Sequence, residues 1–145
     1  MNQSSYIILG AGASGLLLAY RMSLDSYFDD KSILIIDQVK DKGNDKTWCY
    51  WEDGEGEWDE LLTKKWPKVF FGSKDFTETL DISPYSYKMI RSEKFYHKLW
   101  RSIELKSNIT FVEDSVKTYT EAHKAAVMWN YAHFHTNTLP ILHLQ

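Results

Sequence analysis

Two short stretches of the chain are apolar without interruption, Tyr6-Ile7-Ile8-Leu9 and Ile33-Leu34-Ile35-Ile36. Runs that do not alternate with polar residues belong to strands covered on both faces, as in a parallel sheet. Between them, Gly10 to Gly15 is a turn, and residues 16–24 have helical composition, with Leu17, Tyr20, Arg21 and Leu24 at three- and four-residue spacings. Asp29-Asp30-Lys31-Ser32 is a polar connection, and Asp37 closes the second run. Strand, helix and strand in this order predict a right-handed crossover unit.

The middle of the chain is less regular. Residues 40–60, with glycines at 43, 54 and 56, read as loop. Residues 69–71, 76–80 and 87–90 are expected to be three short strands of a small antiparallel layer. Ser92 can cap a helix whose Phe95, Tyr96, Leu99, Trp100 and Ile103 share one face. Asn108 is a helix-ending loop residue, 109–112 a further strand, and 116–120 an extension of the sheet. The fold class expected is α/β: a Rossmann-type βαβ unit with an inserted antiparallel layer, forming an incomplete, truncated part of a two-domain protein.

Composition narrows the function classes. The 145 residues carry 17 basic and 20 acidic side chains, a formal charge of −3, which leaves no basic footprint for nucleic acid. No apolar run reaches the ~18 residues of a membrane span, and the N-terminus lacks the basic flank of a signal peptide. The single cysteine, Cys49, rules out an internal disulfide and points to a reducing, cytoplasmic compartment. Aromatic residues are in excess, with six Trp, nine Tyr and seven Phe. Charge is uneven: residues 122–145 hold only Lys124, but four of the five histidines. The expected organisation is therefore a dinucleotide-binding portion over 1–121 and an atypical tail over 122–145, frameshifted or disordered.

Gly10-Ala11-Gly12-Ala13-Ser14-Gly15 matches the dinucleotide fingerprint, with a strand before it, a helix after it, and Asp37 standing 22 positions beyond Gly15. Gly10 permits the tight turn, Gly12 lets a pyrophosphate approach the backbone, and Gly15 lets helix and sheet pack closely. The helix N-terminus offers free N–H groups to phosphate. Asp37 would accept the adenosine ribose hydroxyls, and its charge disfavours a 2′-phosphate and hence NADP. Ala19 keeps the helix thin against the sheet. A simple NAD domain would continue into another crossover helix, so the aromatic insertion after Asp37 favours FAD.

Other groups carry less. Glu52, Asp53, Glu55, Glu57, Asp59 and Glu60 read as a solvated acidic loop, and they lack the spacing of a calcium loop. Trp48, Tyr50, Trp51, Trp58 and Trp66 are core residues or line an apolar pocket whose ring faces can stabilise a cation. Cys49 reads as a packed thiol without an activating partner, and His133 and His135 do not make a metal site. Arg91 stands where a guanidinium reaches a phosphate or flavin edge, or else a surface acid.

Three segments together resemble the lycopene cyclase family of flavoproteins: Tyr6 to Leu16, Gly43-Asn44-Asp45-Lys46-Thr47-Trp48, and Tyr87-Lys88-Met89-Ile90-Arg91-Ser92-Glu93-Lys94-Phe95. The first is shared by many flavoproteins; the other two and their spacing are more particular. The resemblance spans roughly residues 5–118 and is nearest to the cyclases of carotenoid-making bacteria. It implies an enzyme that closes the ends of linear lycopene into β-ionone rings without net redox change. A protein acid protonates an end-group double bond, a neighbouring double bond attacks the cation, and proton loss completes the ring. Reduced FAD is required, with NAD(P)H as reductant. On this resemblance Arg91 becomes a flavin contact, Val116 a backbone neighbour of adenine, and Trp48, Tyr50 and Trp51 part of a substrate pocket. The family's acidic catalytic motif lies beyond residue 145, so no catalytic residue is expected in this chain. A peripheral position at a membrane surface follows from the carotenoid. The alternatives are a fragment of an FAD-dependent monooxygenase or prenyl reductase, or an inactive truncated product.

Overall fold

A computed structural model describes residues 4–117 and the backbone of residues 141–142. The chain divides into two units, Met1–Lys42 together with Tyr96–Gln145, and Gly43–Phe95.

The first unit is built on a parallel sheet. Its strands are β1 (Tyr6–Leu9) and β2 (Ile33–Asp37), with Ile7 opposite Leu34 and Leu9 opposite Ile36. Both faces of these strands are covered, which is why neither alternates: Ile7 and Ile36 are buried on one side, and Ile8, Ile33 and Ile35 on the other. Helix α1 (Ala13–Leu24) lies between them in sequence. Its buried stripe is Leu16, Ala19, Met22 and Ser23, one position away from the Leu17, Tyr20, Arg21, Leu24 set predicted, and Leu24 is exposed. The small Ala19 has no exposed surface, as its place against the sheet requires.

After the insertion the chain re-enters this unit through the second helix (Ser92–Ile103) and the strand Ile109–Glu113, which pairs parallel with β2 from Ile33↔Ile109 to Asp37↔Glu113. Asn108 fastens the approach: its Nδ2 donates to the carbonyls of Phe28 and Lys31 at 2.7 and 2.8 Å, and its own carbonyl accepts from Ile33 N–H. Residues 114–117 are irregular, so the predicted extension of the sheet at 116 does not form there; its remainder, 118–120, lies outside the described residues. Val116 instead packs, half-buried, on Ile7 and Ile36. The backbone of Ile141–Leu142 pairs parallel with β1 on its other edge. The rest of the predicted tail, His133 and His135 included, lies outside the described residues.

The inserted unit is where the sequence reading needs most correction. Residues 47–53 are not loop but β3 (Thr47–Asp53); β4 (Leu62–Trp66) follows a 3-10 turn at Asp59–Leu61. Then come β5 (Lys68–Gly72), β6 (Thr77–Asp81) and β7 (Tyr85–Arg91). They do not form one layer. β7 is the centre of a three-stranded antiparallel sheet with β3 and β4 at its sides, while β5 and β6 pair only with each other. That ribbon exposes Phe70, Phe71, Phe76 and Leu80. The three-stranded sheet has one buried face, with Ser86, Lys88 and Ile90 of β7 facing Trp48, Tyr50 and Glu52 of β3 by register. Trp48 and Trp58 both meet the Phe95 ring edge-on, at 5.4 and 5.1 Å between centroids.

The helix that ends this unit is α2 (Ser92–Ile103), and its buried face holds Phe95, Tyr96, Leu99 and Ile103 of the five residues predicted, with Trp100 half-buried. Ser92 has no exposed surface, and its hydroxyl is engaged by the loop before β3: it accepts from Lys46 N–H at 3.0 Å and donates to the Gly43 carbonyl at 3.3 Å. With the label β8 for Ile109–Glu113 and β9 for Ile141–Leu142, the parallel sheet reads β8-β2-β1-β9. No helix among the described residues is long and apolar enough to cross a membrane.

Candidate nucleotide-binding site

The turn between β1 and α1 is held by three backbone features. Gly10 has φ +96°, a conformation that glycine adopts without a Cβ penalty, and its N–H donates to the Ile36 carbonyl at 2.8 Å. Gly12 is the residue that precedes the helix, and its carbonyl accepts the first helical bond from Leu16 N–H. A Cβ at Gly12 would meet no atom within 4 Å, so the space over it is open. Gly15 is the opposite case. A Cβ there would collide with the Gly10 carbonyl oxygen and lie 3.2 Å from the Ile8 side chain. Gly15 therefore sets how closely helix and strand pack, and Gly12 leaves room for something else to come near.

That room is a cleft of about 210 Å³, lined by Gly10, Gly12, Ala13, Ser14, Gly15 and Leu18. The first N–H groups of a helix have no acceptor within it, and they carry the positive end of its dipole. No acidic residue stands in the first turn of α1 to neutralise it. Ser14 is exposed at this end, where its hydroxyl is accessible to a ligand.

Asp37 closes the site at the end of β2. Its Oδ2 accepts the Ala11 N–H at 2.6 Å and forms an ion pair with Lys42 Nζ at 3.0 Å; its Oδ1 receives Val39 N–H at 3.4 Å. Partial burial pushes this carboxyl up, but the Lys42 ammonium and the N–H groups of Ala11 and Val39 outweigh it and hold it below the usual carboxylate range. The site thus offers an ionised acceptor beside an anion-binding helix end, which is the donor and acceptor set that a pyrophosphate and an adenosine ribose need.

Of the other predicted residues, Val116 belongs to the first unit, and Arg91, Trp48, Tyr50 and Trp51 belong to the inserted one. Val116 lies against Ile7 and Ile36, beneath the sheet face away from Ile8. Arg91 ends β7 and is exposed. Trp48 and Tyr50 share the inner face of β3, but Trp51 points to the other face, is 55% exposed and meets the Tyr87 ring in a tilted contact at 4.9 Å between centroids. The three do not line one pocket. Cys49 is exposed on that outer face, and so is not the packed thiol predicted. Among the described residues no cluster of His, Cys, Asp and Glu is suited to a metal ion.

Two lysines act in the structure without a motif of their own. Lys42 carries no local signal because it follows Asp37 through a loop. Lys88 has no exposed surface, and its ammonium donates to Asp59 Oδ1 at 2.6 Å, Glu52 Oε2 at 2.8 Å and the Gly54 carbonyl at 2.9 Å. Two of the six acids read as a solvated loop are thus turned inward. The signal was present: Lys88 occupies an inward position of a strand that alternates buried and open from Tyr85 to Arg91.

Known proteins bear on this arrangement in three ways. The amino acid oxidase fsqB of Aspergillus fumigatus is 51% identical over 35 residues, which is 24% of this chain and 7% of that protein. The solved structure of the flavin-dependent brominase Bmp2 superposes with a TM-score of 0.56 at 15% identity, covering 97% of this chain and 38% of that one. At that identity the likeness speaks for the fold alone, and the chain spans well under half the length of either protein. The sequence model of the family described as lycopene cyclase protein matches residues 6–132, most of the chain. The chain belongs to the lycopene cyclase protein family.

Proposed function

We propose that this chain carries the FAD-binding N-terminal part of a lycopene β-cyclase. Gly10 to Gly15 and the N-terminus of α1 hold the pyrophosphate, and Asp37 holds the adenosine ribose. The observation that supports this best is the division of labour between two glycines, Gly15 sealed against Gly10 and Gly12 open to the cleft, beside an Asp37 tied to the same turn through Ala11. FAD, when bound in its reduced form, supplies the flavin on which the family's non-redox ring closure depends, with NAD(P)H as its reductant. What this chain's residues contribute is binding and orientation. Arg91 is a flavin contact in this reading, Val116 a neighbour of the adenine, and the Trp48–Tyr50 face a wall of the carotenoid pocket. The substrate is lycopene or a related linear carotenoid, taken up from a membrane surface on the cytoplasmic side by a longer chain that brings the catalytic acid.

The test is direct. The purified chain is mixed with FAD, separated from free flavin by gel filtration, and its spectrum recorded. A yellow protein with quenched flavin fluorescence is expected. A colourless, folded protein at FAD concentrations far above those of typical flavoproteins would refute the cofactor assignment. For the longer enzyme, cyclised product without net NADPH consumption distinguishes a cyclase from a monooxygenase or prenyl reductase, both of which consume reductant.

A further inference from the structure

We propose that Lys42 is a positioning residue of the nucleotide site, engaging one oxygen of Asp37 so that the other meets the ribose of the bound cofactor. The inference rests on the reading of the site as one for FAD. The two carboxylate oxygens of Asp37 are not equivalent. Oδ2 takes both the Ala11 N–H at 2.6 Å and the Lys42 ammonium at 3.0 Å. Among the described residues Oδ1 takes only Val39 N–H, at 3.4 Å, a separation at which a hydrogen bond is weak. An ionised carboxylate has about four lone-pair sites. Oδ1 therefore keeps capacity for hydroxyl donors, whereas Oδ2 is committed to the protein.

The pair is shielded, with 19% of the Lys42 side chain and 16% of the Asp37 side chain exposed, so salt screens it less than a surface contact. The other ionisable groups beside Asp37 do not replace Lys42. Glu113 stands opposite Asp37 in the register of β8, Asp114 donates its backbone N–H to the Asp37 carbonyl, and the backbone N–H of Lys40 lies 3.4 Å from Glu113. Neither acid supplies a positive charge, and among the described residues Lys42 is the cation that pairs with Asp37. Without it the carboxyl would take up a proton at higher pH, and Oδ2 would be held by the Ala11 N–H alone, leaving Oδ1 less firmly aimed.

The test uses FAD titrations of the chain, read by quenching of flavin fluorescence from pH 8 down to pH 4, for the native protein, Lys42→Met and Lys42→Arg. Lys42→Met is expected to bind FAD about tenfold more weakly at neutral pH, and to lose it at a higher pH on acidification. Lys42→Arg restores both. Should Lys42→Met fail to fold by circular dichroism, Lys42→Gln carries the comparison. The carboxyl carbon resonance of Asp37 gives a second readout in the protein without FAD, its titration midpoint rising in the methionine variant and returning in the arginine variant. Native protein that takes no FAD overturns the cofactor reading and this inference with it. Native protein that binds FAD, beside a methionine variant of equal affinity and the same acid limb, overturns the role of Lys42 alone.

Discussion

The ammonium of Lys88, which has no exposed surface, lies 2.6 Å from Asp59 Oδ1. Its three donors are all spent, on Asp59, Glu52 and the Gly54 carbonyl, so one side chain ties the inner face of β7 to β3 and to the turn before β4. Removing a partner from a buried pair typically costs about 3–5 kcal/mol. Here the side chains of Glu52 and Asp59 are 33% and 24% exposed and can partly rehydrate. Lys88→Met is therefore expected to cost about 2–3 kcal/mol, read as a lower urea midpoint. A variant as stable as the native protein would show that packing of the methionine compensates in full.

The same cluster sets a pH window. The hydrogen bond from Lys88 holds the Asp59 carboxyl below its ordinary value of 3.8, against the opposing effect of partial burial. Burial pushes the Lys88 ammonium down, but Asp59 and Glu52 more than reverse this and raise it above its ordinary value of 10.5. The two signs differ. Stability from Asp59 is complete above 3.8 and is lost as pH falls through its lowered folded value; stability from Lys88 is complete below 10.5 and is lost as pH rises through its raised one. The thermal midpoint of the inserted unit, followed by circular dichroism, is expected to fall at both extremes, and Lys88→Met is expected to flatten both limbs.

Gly12 and Gly15 should separate binding from folding. Gly15→Ala drives a Cβ into the Gly10 carbonyl, which is backbone and cannot swing aside. Overpacking of this kind costs about 1–3 kcal/mol and moves the helix off the strand. Gly12→Ala meets nothing within 4 Å, at a φ of −79° that any residue adopts. It is expected to leave the unfolding midpoint unchanged within about 0.5 kcal/mol while abolishing FAD retention on gel filtration. If Gly12→Ala retains FAD as the native protein does, the pyrophosphate does not cross this turn.

The nucleotide unit was legible because its signals are local. Two unbroken apolar runs, the three glycines of the turn and Asp37 at the end of the second run lie within residues 6–37, and burial on both faces makes β1 and β2 stand out in composition. The inserted unit was not, because its strands are covered on one face and their partners lie far along the chain. β3 breaks the alternation of types, with Tyr50 and Trp51 adjacent, and stands between Gly43 and Gly54 with acids at its end, and so resembles a loop. β4 carries two lysines in five residues. Local composition marks 69–71, 76–80 and 87–90 as short strands, but not that β7 pairs with β3 and β4 while β5 turns back on β6. Lys88 and Lys42 were invisible for a related reason: a lysine acquires its role from a carboxylate that the fold brings to it.

Ser92 joins the segments Gly43–Trp48 and Tyr87–Phe95, and its removal should loosen the first of them selectively. In the β3–β7 ladder Thr47 lies opposite Arg91, so Lys46 and Ser92 form the next step. Ser92 N–H donates to the Lys46 carbonyl at 3.0 Å, as a ladder would continue. The Ser92 carbonyl, however, has turned into α2 and cannot accept in return. Its hydroxyl does so instead, taking the Lys46 N–H at 3.0 Å, and also donates to the carbonyl of Gly43, whose φ is +54°. Ser92→Ala removes the acceptor and leaves the Lys46 amide to find water. Because Lys46 is exposed, the cost should be near the lower end of the ~1–3 kcal/mol range for an unpaired polar group. The sharper readout is hydrogen exchange, since the amide of Lys46 should lose protection about tenfold while Ile35 and Ile36 in β2 keep theirs. Equal loss at Lys46 and in β2 would mean that Ser92→Ala weakens the whole chain rather than this loop.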